Sequence, residues 1–205
     1  MLHHTRTLLK PLKLVCALLT LVGLGCDGSN AEAKKAKHLE RAGAYFTKGQ
    51  FQEAIIEYRN VTQLDAKDAA AHYQLALAHL KLGGLLNLQA AFAELTRAVE
   101  LDKTNQEAQL KLGELYLLGN EPGKARERAE VVLVSAPQNT EGLILKGRSL
   151  ATEKRYKEAI DDFGKAIAID PERPDAYLFR ASARRYMENL AGARQDIDNA
   201  LKLAP

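Results

Sequence analysis

Apolar residues along this chain fall into two regimes. Leu14–Leu24 is a run of eleven mostly apolar residues behind a short basic stretch, Met1–Lys13. From residue 35 onward apolar and polar positions follow a helical period, and similar local patterns return. Phe51-Gln52-Glu53-Ala54-Ile55 matches Tyr156-Lys157-Glu158-Ala159-Ile160. Ala98-Val99-Glu100-Leu101-Asp102 matches Ala166-Ile167-Ala168-Ile169-Asp170-Pro171 and Ala200-Leu201-Lys202-Leu203-Ala204-Pro205. Apolar residues three and four apart turn one side of a helix to a core. Self-similarity at a fixed period marks stacked units, none of which buries its faces alone. The pattern predicts pairs of helices repeated along the chain.

These residues resemble the tetratricopeptide repeat (TPR), a helix–turn–helix unit of 34 residues. With each unit numbered from 1 to 34, the family's small residue at position 8 falls on Ala42, Ala76, Gly113, Gly147 and Ala181. Its alanine at position 20 falls on Ala54, Ala91, Ala125, Ala159 and Ala193. The small or apolar residue at 27 falls on Val61, Ala98, Val132, Ala166 and Ala200, and the helix-stopping proline at 32 on Pro137, Pro171 and Pro205, with Ala66 and Lys103 in the first two units. The units are 35–68, 69–105, 106–139, 140–173 and 174–205. The resemblance implies an all-α fold, an α-solenoid in which five helix–turn–helix units form a right-handed superhelix after an N-terminal signal segment. Unit two is three residues too long. The excess falls in Gly84-Leu85-Leu86-Asn87, expected as a loop between its helices, where insertions cost little entropy.

Small residues at positions 8 and 20 let the two backbones of a unit approach closely, while larger apolar residues fill the space around them. Position 7 breaks the family's pattern with Arg41, Lys146 and Arg180. These are expected to pack their stems and carry the charge to solvent; the other reading is a ligand-binding charge.

The leader has the basic and apolar regions of a secretory signal. Eleven helical residues rise about 16 Å, too short for a hydrocarbon core of about 30 Å. Val22-Gly23-Leu24-Gly25-Cys26 resembles a bacterial lipoprotein box, in which a peptidase cuts before the cysteine that receives a diacylglyceryl group. Gly23 departs from the box, where leucine is preferred. The rival reading is cleavage after Ala31-Glu32-Ala33, nine residues past the apolar run. Cys16 lies inside the leader and leaves with it, so a cut before Cys26 makes that residue the one mature cysteine, which favours an acceptor for lipid over a stray thiol. Residues 1–25 are thus expected as a signal peptide and 26–34 as a flexible tether, polar and without apolar period. The expected location is the bacterial cell envelope, facing the periplasm and held by lipid, with Asp27 leaning toward the inner membrane.

Charge adds one exclusion. The net charge is +3, with 29 basic and 26 acidic residues, and Arg6, Lys10 and Lys13 all lie in the acid-free leader. The remainder balances, so the clustered positive charge that binding nucleic acid demands is missing. No catalytic or metal-binding constellation stands out in the sequence. His38, His72 and His79 show no metal-ligand spacing; His72 and His79 lie two helical turns apart, too far to share one zinc. Gly119-Asn120-Glu121-Pro122-Gly123-Lys124 falls short of a phosphate-binding loop, because the glycine spacing is one short and Ala125 stands where Ser or Thr is needed. Asp161 and Asp162, beside Lys157 and Lys165, suggest an ordinary solvated face. The expectation is a non-enzyme with no cofactor and no metal.

The resemblance implies a protein or peptide partner in a concave groove lined by helix A positions 2, 5, 6, 9, 12 and 13. Positions 5, 6 and 9 give Tyr73, Gln74 and Leu77, then Leu110, Lys111 and Glu114, then Ile144, Leu145 and Arg148, then Leu178, Phe179 and Ser182. This surface is expected to be largely apolar with scattered charge. It lacks the Lys and Asn set with which some family members grip chaperone tails, and it suits an amphipathic helix or extended segment. The implied role is an interaction scaffold tethered to the envelope for a secretion, pilus or exopolysaccharide machine, similar to the repeat lipoproteins of PEP-CTERM systems. The alternative is an accessory subunit of an envelope enzyme such as a cell-wall hydrolase. Finally, Ala193, Ile197, Ala200 and Leu201 form an apolar stripe on the last helix. One flank of it is expected to stay bare, calling for either a continuation of the array or self-association through unit five.

Overall fold

The computed structural model describes residues 26–204, and the leader expected at 1–25 lies outside them. Ten α-helices occur among the described residues: α1 (Cys26–Thr47), α2 (Phe51–Leu64), α3 (Ala69–Leu82), α4 (Leu85–Leu101), α5 (Gln106–Leu118), α6 (Pro122–Ser135), α7 (Thr140–Thr152), α8 (Tyr156–Ile169), α9 (Pro174–Tyr186) and α10 (Leu190–Leu203). Each odd–even pair is one hairpin, each hairpin packs on the next, and α7 also touches α5 and α9. The architecture is the five-unit α-solenoid. All five alanines at position 20 are buried, as are the five small residues at position 8. The approach is tight at Gly113, where a Cβ would stand 2.5 Å from Leu145, and at Gly147, where it would stand 2.6 Å from the ring of Phe163, which fills the centre of unit four.

The helices of the inner layer start from a repeated cap. Asp68, Asn105 and Asn139, the last residue of units one to three, accept from the backbone N–H of Ala71, Ala108 and Gly142, satisfying donors that a helix start leaves free. At the other end the chain turns through position 15 with positive φ in every unit. Gly49 and Gly83 serve in units one and two, Asn120, Lys154 and Glu188 in the rest.

Three expectations need correction here. Residues 26–34 are not a flexible tether: α1 starts at Cys26 and runs 22 residues without a break. Ala31 to Lys37 are all strong helix formers, and lengthening a helix already fixed by packing avoids the cost of nucleation. The three extra residues of unit two are not loop either. They lengthen α4 to 17 residues against 14 in α2, α6, α8 and α10. Gly83 and Gly84, both at positive φ, make the turn by themselves, and Leu85 and Leu86 project into solvent with 71% and 80% of their surface exposed.

The third correction concerns the cations at position 7: Lys146 and Arg180 turn inward to an acid, while Arg41 keeps half its side chain in solvent as expected. Each meets an acid at position 23 of its own helix B. Arg41 lies 3.7 Å from Glu57, Lys146 lies 3.3 Å from Asp162, and Arg180 grips Asp196 through two nitrogens at 3.0 and 2.7 Å. Arg184 adds a third bond to Asp196 at 2.8 Å. Asp162 is therefore buried between Lys146 and Lys165, not on a solvated face. In units one and two, His38 and His72 reach the position-23 glutamates Glu57 and Glu94 from position 4. In unit three the polarity reverses, with Arg128 donating to Gln109. Every unit thus ties helix A to helix B through position 23. A buried charge is tolerated only with such a partner.

Candidate functional site

The inner helices α5, α7 and α9 form one side of the solenoid, and between them lies a groove of about 340 Å³. Eight of the twelve residues expected to line it do so: Tyr73, Leu110, Lys111, Glu114, Ile144, Leu145, Arg148 and Phe179. Gln74, Leu77 and Leu178 lie outside it, and Ser182 sits instead in a second hollow with Tyr156 and Tyr186.

The groove is more charged than expected. Leu110, Ile144 and Leu145 are buried as core between units, leaving little of their surface on the floor. The walls carry Glu107, Glu114, Glu141 and Asp175 against Lys111, Arg148 and Arg173. Three of the acids, Glu107, Glu141 and Asp175, occupy position 2 of successive units. Mapping only positions 5, 6 and 9 leaves them out, although the resemblance puts position 2 on the same face. Arg173 is the other residue the sequence reading misses. Units one to three place a capping Asp or Asn there, whereas α9 starts on Pro174 with no side-chain cap. The freed Arg173 side chain points into the groove, 2.9 Å from Asp175 and 3.6 Å from Glu141.

Most of these charges are paired within the groove. The Tyr73 hydroxyl donates to Glu107 at 2.9 Å, and burial, then this carboxylate, push the phenol above its ordinary range. Lys111 holds Glu114 at 2.9 Å. The Asp175 carboxylate raises Arg173 further. Arg148 differs: its guanidinium lies 4.9 Å from the centroid of Phe179, over the ring face, a contact that leaves its in-plane donors available. The groove thus offers one aromatic surface, one cation with free donors and an excess of carboxylates. It holds no pairing of base and nucleophile.

Family models agree with this geometry. TPR models match residues 43–83, 87–148 and 140–173, which together cover well over half the chain. The chain is a tetratricopeptide-repeat protein. Tetratricopeptide repeat protein 36 of Homo sapiens is 38% identical over 88 residues, covering 42% of this chain and 47% of that protein. Peptidyl-prolyl cis-trans isomerase FKBP4 of Mus musculus is 29% identical over 128 residues, 54% of this chain and 27% of that protein. The TPR chain thus spans from about a quarter to about half the length of these curated relatives. Among solved structures, MamA superposes with a TM-score of 0.74 at 21% identity, over 84% of this chain and 92% of its own. YrrB, a TPR protein with an unusual peptide-binding site, gives 0.71 at 20%, over 87% and 91%. The pilF protein of Pseudomonas aeruginosa gives 0.71 at 17%, over 86% and 79%. At these identities the likeness is one of fold.

Proposed function

We propose that this TPR array is an interaction scaffold of the bacterial envelope, holding a segment of a partner protein in the groove of α5, α7 and α9 and tethered to the membrane through a lipid on Cys26. The observation that carries the binding reading is Arg148 on Phe179, a cation with free donors on an aromatic face, inside a concavity whose other charges are largely spent on one another. A peptide carboxylate or carbonyl can meet Arg148 while an apolar side chain covers the ring. The peptide-binding site of the structurally similar YrrB supports the same use of the fold. The tether rests on Cys26 directly behind an eleven-residue apolar run. Because α1 begins at that cysteine, nine helical residues would hold the first unit about 13 Å from the attachment point. The envelope process served is assembly of a secretion, pilus or exopolysaccharide machine.

A photoreactive residue at Glu141 or Phe179, in the full chain in cells, should crosslink the same partner peptides, and one at Val134 on α6, outside the groove, should not. Equal capture from Val134 would overturn the groove. The Cys26→Ser variant should lose detergent-phase partitioning; a lipid-free mature chain starting at Lys34 would overturn the tether.

A further inference from the structure

The four junctions between units show what the outer face of a helix B is for. Position 24 is buried in units one to four, by Tyr58, Leu95, Ala129 and Phe163. Position 3 of the following helix A is small and buried each time, as Ala71, Ala108, Gly142 and Ala176; Ala108 shares a core with Leu95, Ala176 shares one with Phe163, and Gly142 faces Leu133. In unit five no described residue covers the same surface. Ile197 at position 24 is 43% exposed, Leu201 at position 28 is 59% exposed, and Leu178 at position 5 is 50% exposed, whereas Tyr73, Leu110 and Ile144 at position 5 are buried.

The first and fifth units are not alike. At the first unit, position 3 of α1 is Lys37, long, charged and exposed. It stands where the other four units place Ala or Gly, so α1 cannot lie on a helix B as closely as the inner helices do. Stacking the fifth unit of one copy on the first unit of the next is thereby disfavoured.

The bare face of α10 is complementary to itself. Leu190, Arg194, Ile197, Asp198 and Leu201 follow at i, i+4, i+7, i+8 and i+11, one seam of a helix, and all are exposed. Lay two copies of this seam antiparallel. Leu190 then meets the partner's Leu201, and Arg194 meets the partner's Asp198, about a common centre between Gln195 and Asp196. The two Ile197 side chains fall about 4 Å apart along the axis, beside that centre. Apolar residues thus oppose apolar ones, and opposite charges oppose each other, in a single two-fold register.

We infer that α10 is a self-association surface, on which a second copy of this chain docks antiparallel through Leu190, Ile197 and Leu201 with Arg194–Asp198 ion pairs on either side of the two-fold axis. This site is separate from the groove and leaves it open.

Disulfide trapping in the full chain, expressed in cells, tests the register. Ile197→Cys should yield a covalent dimer on mild oxidation. Leu190→Cys alone should not, because its two copies stand about 17 Å apart along the axis, but Leu190→Cys with Leu201→Cys should. In the Ile197→Cys background, Arg194→Asp or Asp198→Arg should each lower dimer yield about fivefold, the size expected for exposed ion pairs present twice. The two changes together should restore it, which mere damage to folding would not do. Absence of a covalent dimer in the Ile197→Cys variant, equal trapping by Leu190→Cys alone, capture of a different protein by the Ile197→Cys variant, or no rescue by the double charge swap would each overturn the assignment.

Discussion

The first two units and the last two close their hairpins at the same place with different means. Units one and two bring a histidine to a glutamate, and the Glu57 and Glu94 side chains keep 14% and 27% of their surface in solvent. Units four and five bring lysine or arginine to Asp162 and Asp196, which keep 5% and 1%. The turns differ in the opposite sense. Units one and two have glycine at position 15, where φ is positive; units four and five hold Lys154 and Glu188 there, a conformation that costs a side-chain-bearing residue about 1–2 kcal/mol. The back of the array combines strained turns with deeply buried ion pairs, and the front combines relaxed turns with wetter ones. Breaking the tie at position 23 should therefore cost more at the back than at the front.

Removing the buried acid gives the largest expected effect. Asp196→Ala strands two arginines inside unit five and should cost about 3–5 kcal/mol in denaturant unfolding, the range for breaking a buried pair. Glu94→Ala should cost much less, because water reaches its site. Equal losses would erase the contrast between front and back.

Glycine provides the next contrast. At Gly147 a Cβ would stand 2.6, 2.9 and 3.0 Å from three ring atoms of Phe163, itself fully buried. Gly147→Ala should destabilise by about 1–3 kcal/mol, as overpacking does. At Gly43, within α1, nothing lies within 4 Å of the added atom, so Gly43→Ala should stabilise by about 0.5–1 kcal/mol through helix propensity. Opposite shifts in melting temperature check both.

A smaller gain is expected at the strained turns. Lys154→Gly and Glu188→Gly relieve positive φ but add unfolded-state freedom, so each should stabilise by at most about 1 kcal/mol. Asn120→Gly should change less, because asparagine tolerates that region. Destabilisation by the glycines would show that the turn side chains make contacts that outweigh the strain.

Most of the fold was legible in the sequence because close backbone approach admits so few residues. The alanines at position 20 and the small residues at position 8 placed the unit boundaries, and α3, α5, α7 and α9 begin at residues 69, 106, 140 and 174, the first residues of their units. The position-23 ties were not legible. Lys146 and Asp162 lie 16 residues apart across a turn, far outside the i, i+4 window, and Lys165 beside Asp162 suggests a solvent-facing pair until the cross-helix partner is seen. In the groove, Leu110 and Ile144 have the right position but belong to the junction between units, and only the packing reveals that the neighbouring unit covers them.

The smallest effect lies where α1 meets the turn after α2, and it is a pH effect. The Lys35 ammonium stands 2.7 Å from Asp65 and 3.1 Å from Asp68. The Lys35 hydrogen bond, then the Lys67 backbone N–H, hold the Asp65 carboxyl below the usual carboxylate range. A carboxyl depressed by folding binds its proton more weakly in the folded than in the unfolded state. Its contribution is therefore complete above the ordinary value of about 3.9, shrinks as pH falls below that, and vanishes under the depressed folded value. Lys35 is raised by the same contacts, so its share is complete below its ordinary value and disappears as pH rises through the folded one. Asp65→Asn should flatten the acid side of this profile. The place to see it is amide exchange in the first turns of α1, since the pair is solvent-accessible and global unfolding will scarcely register it. In the parent chain, protection there should fall as pH drops below about 4, once the intrinsic pH dependence of exchange is removed; in Asp65→Asn it should stay nearly level over that window. Raising the salt to about 1 M, where the screening length is about 3 Å, should bring the two profiles together. If they stay apart in high salt, the turn geometry of Asp65 and not its charge on Lys35 is what holds the start of α1.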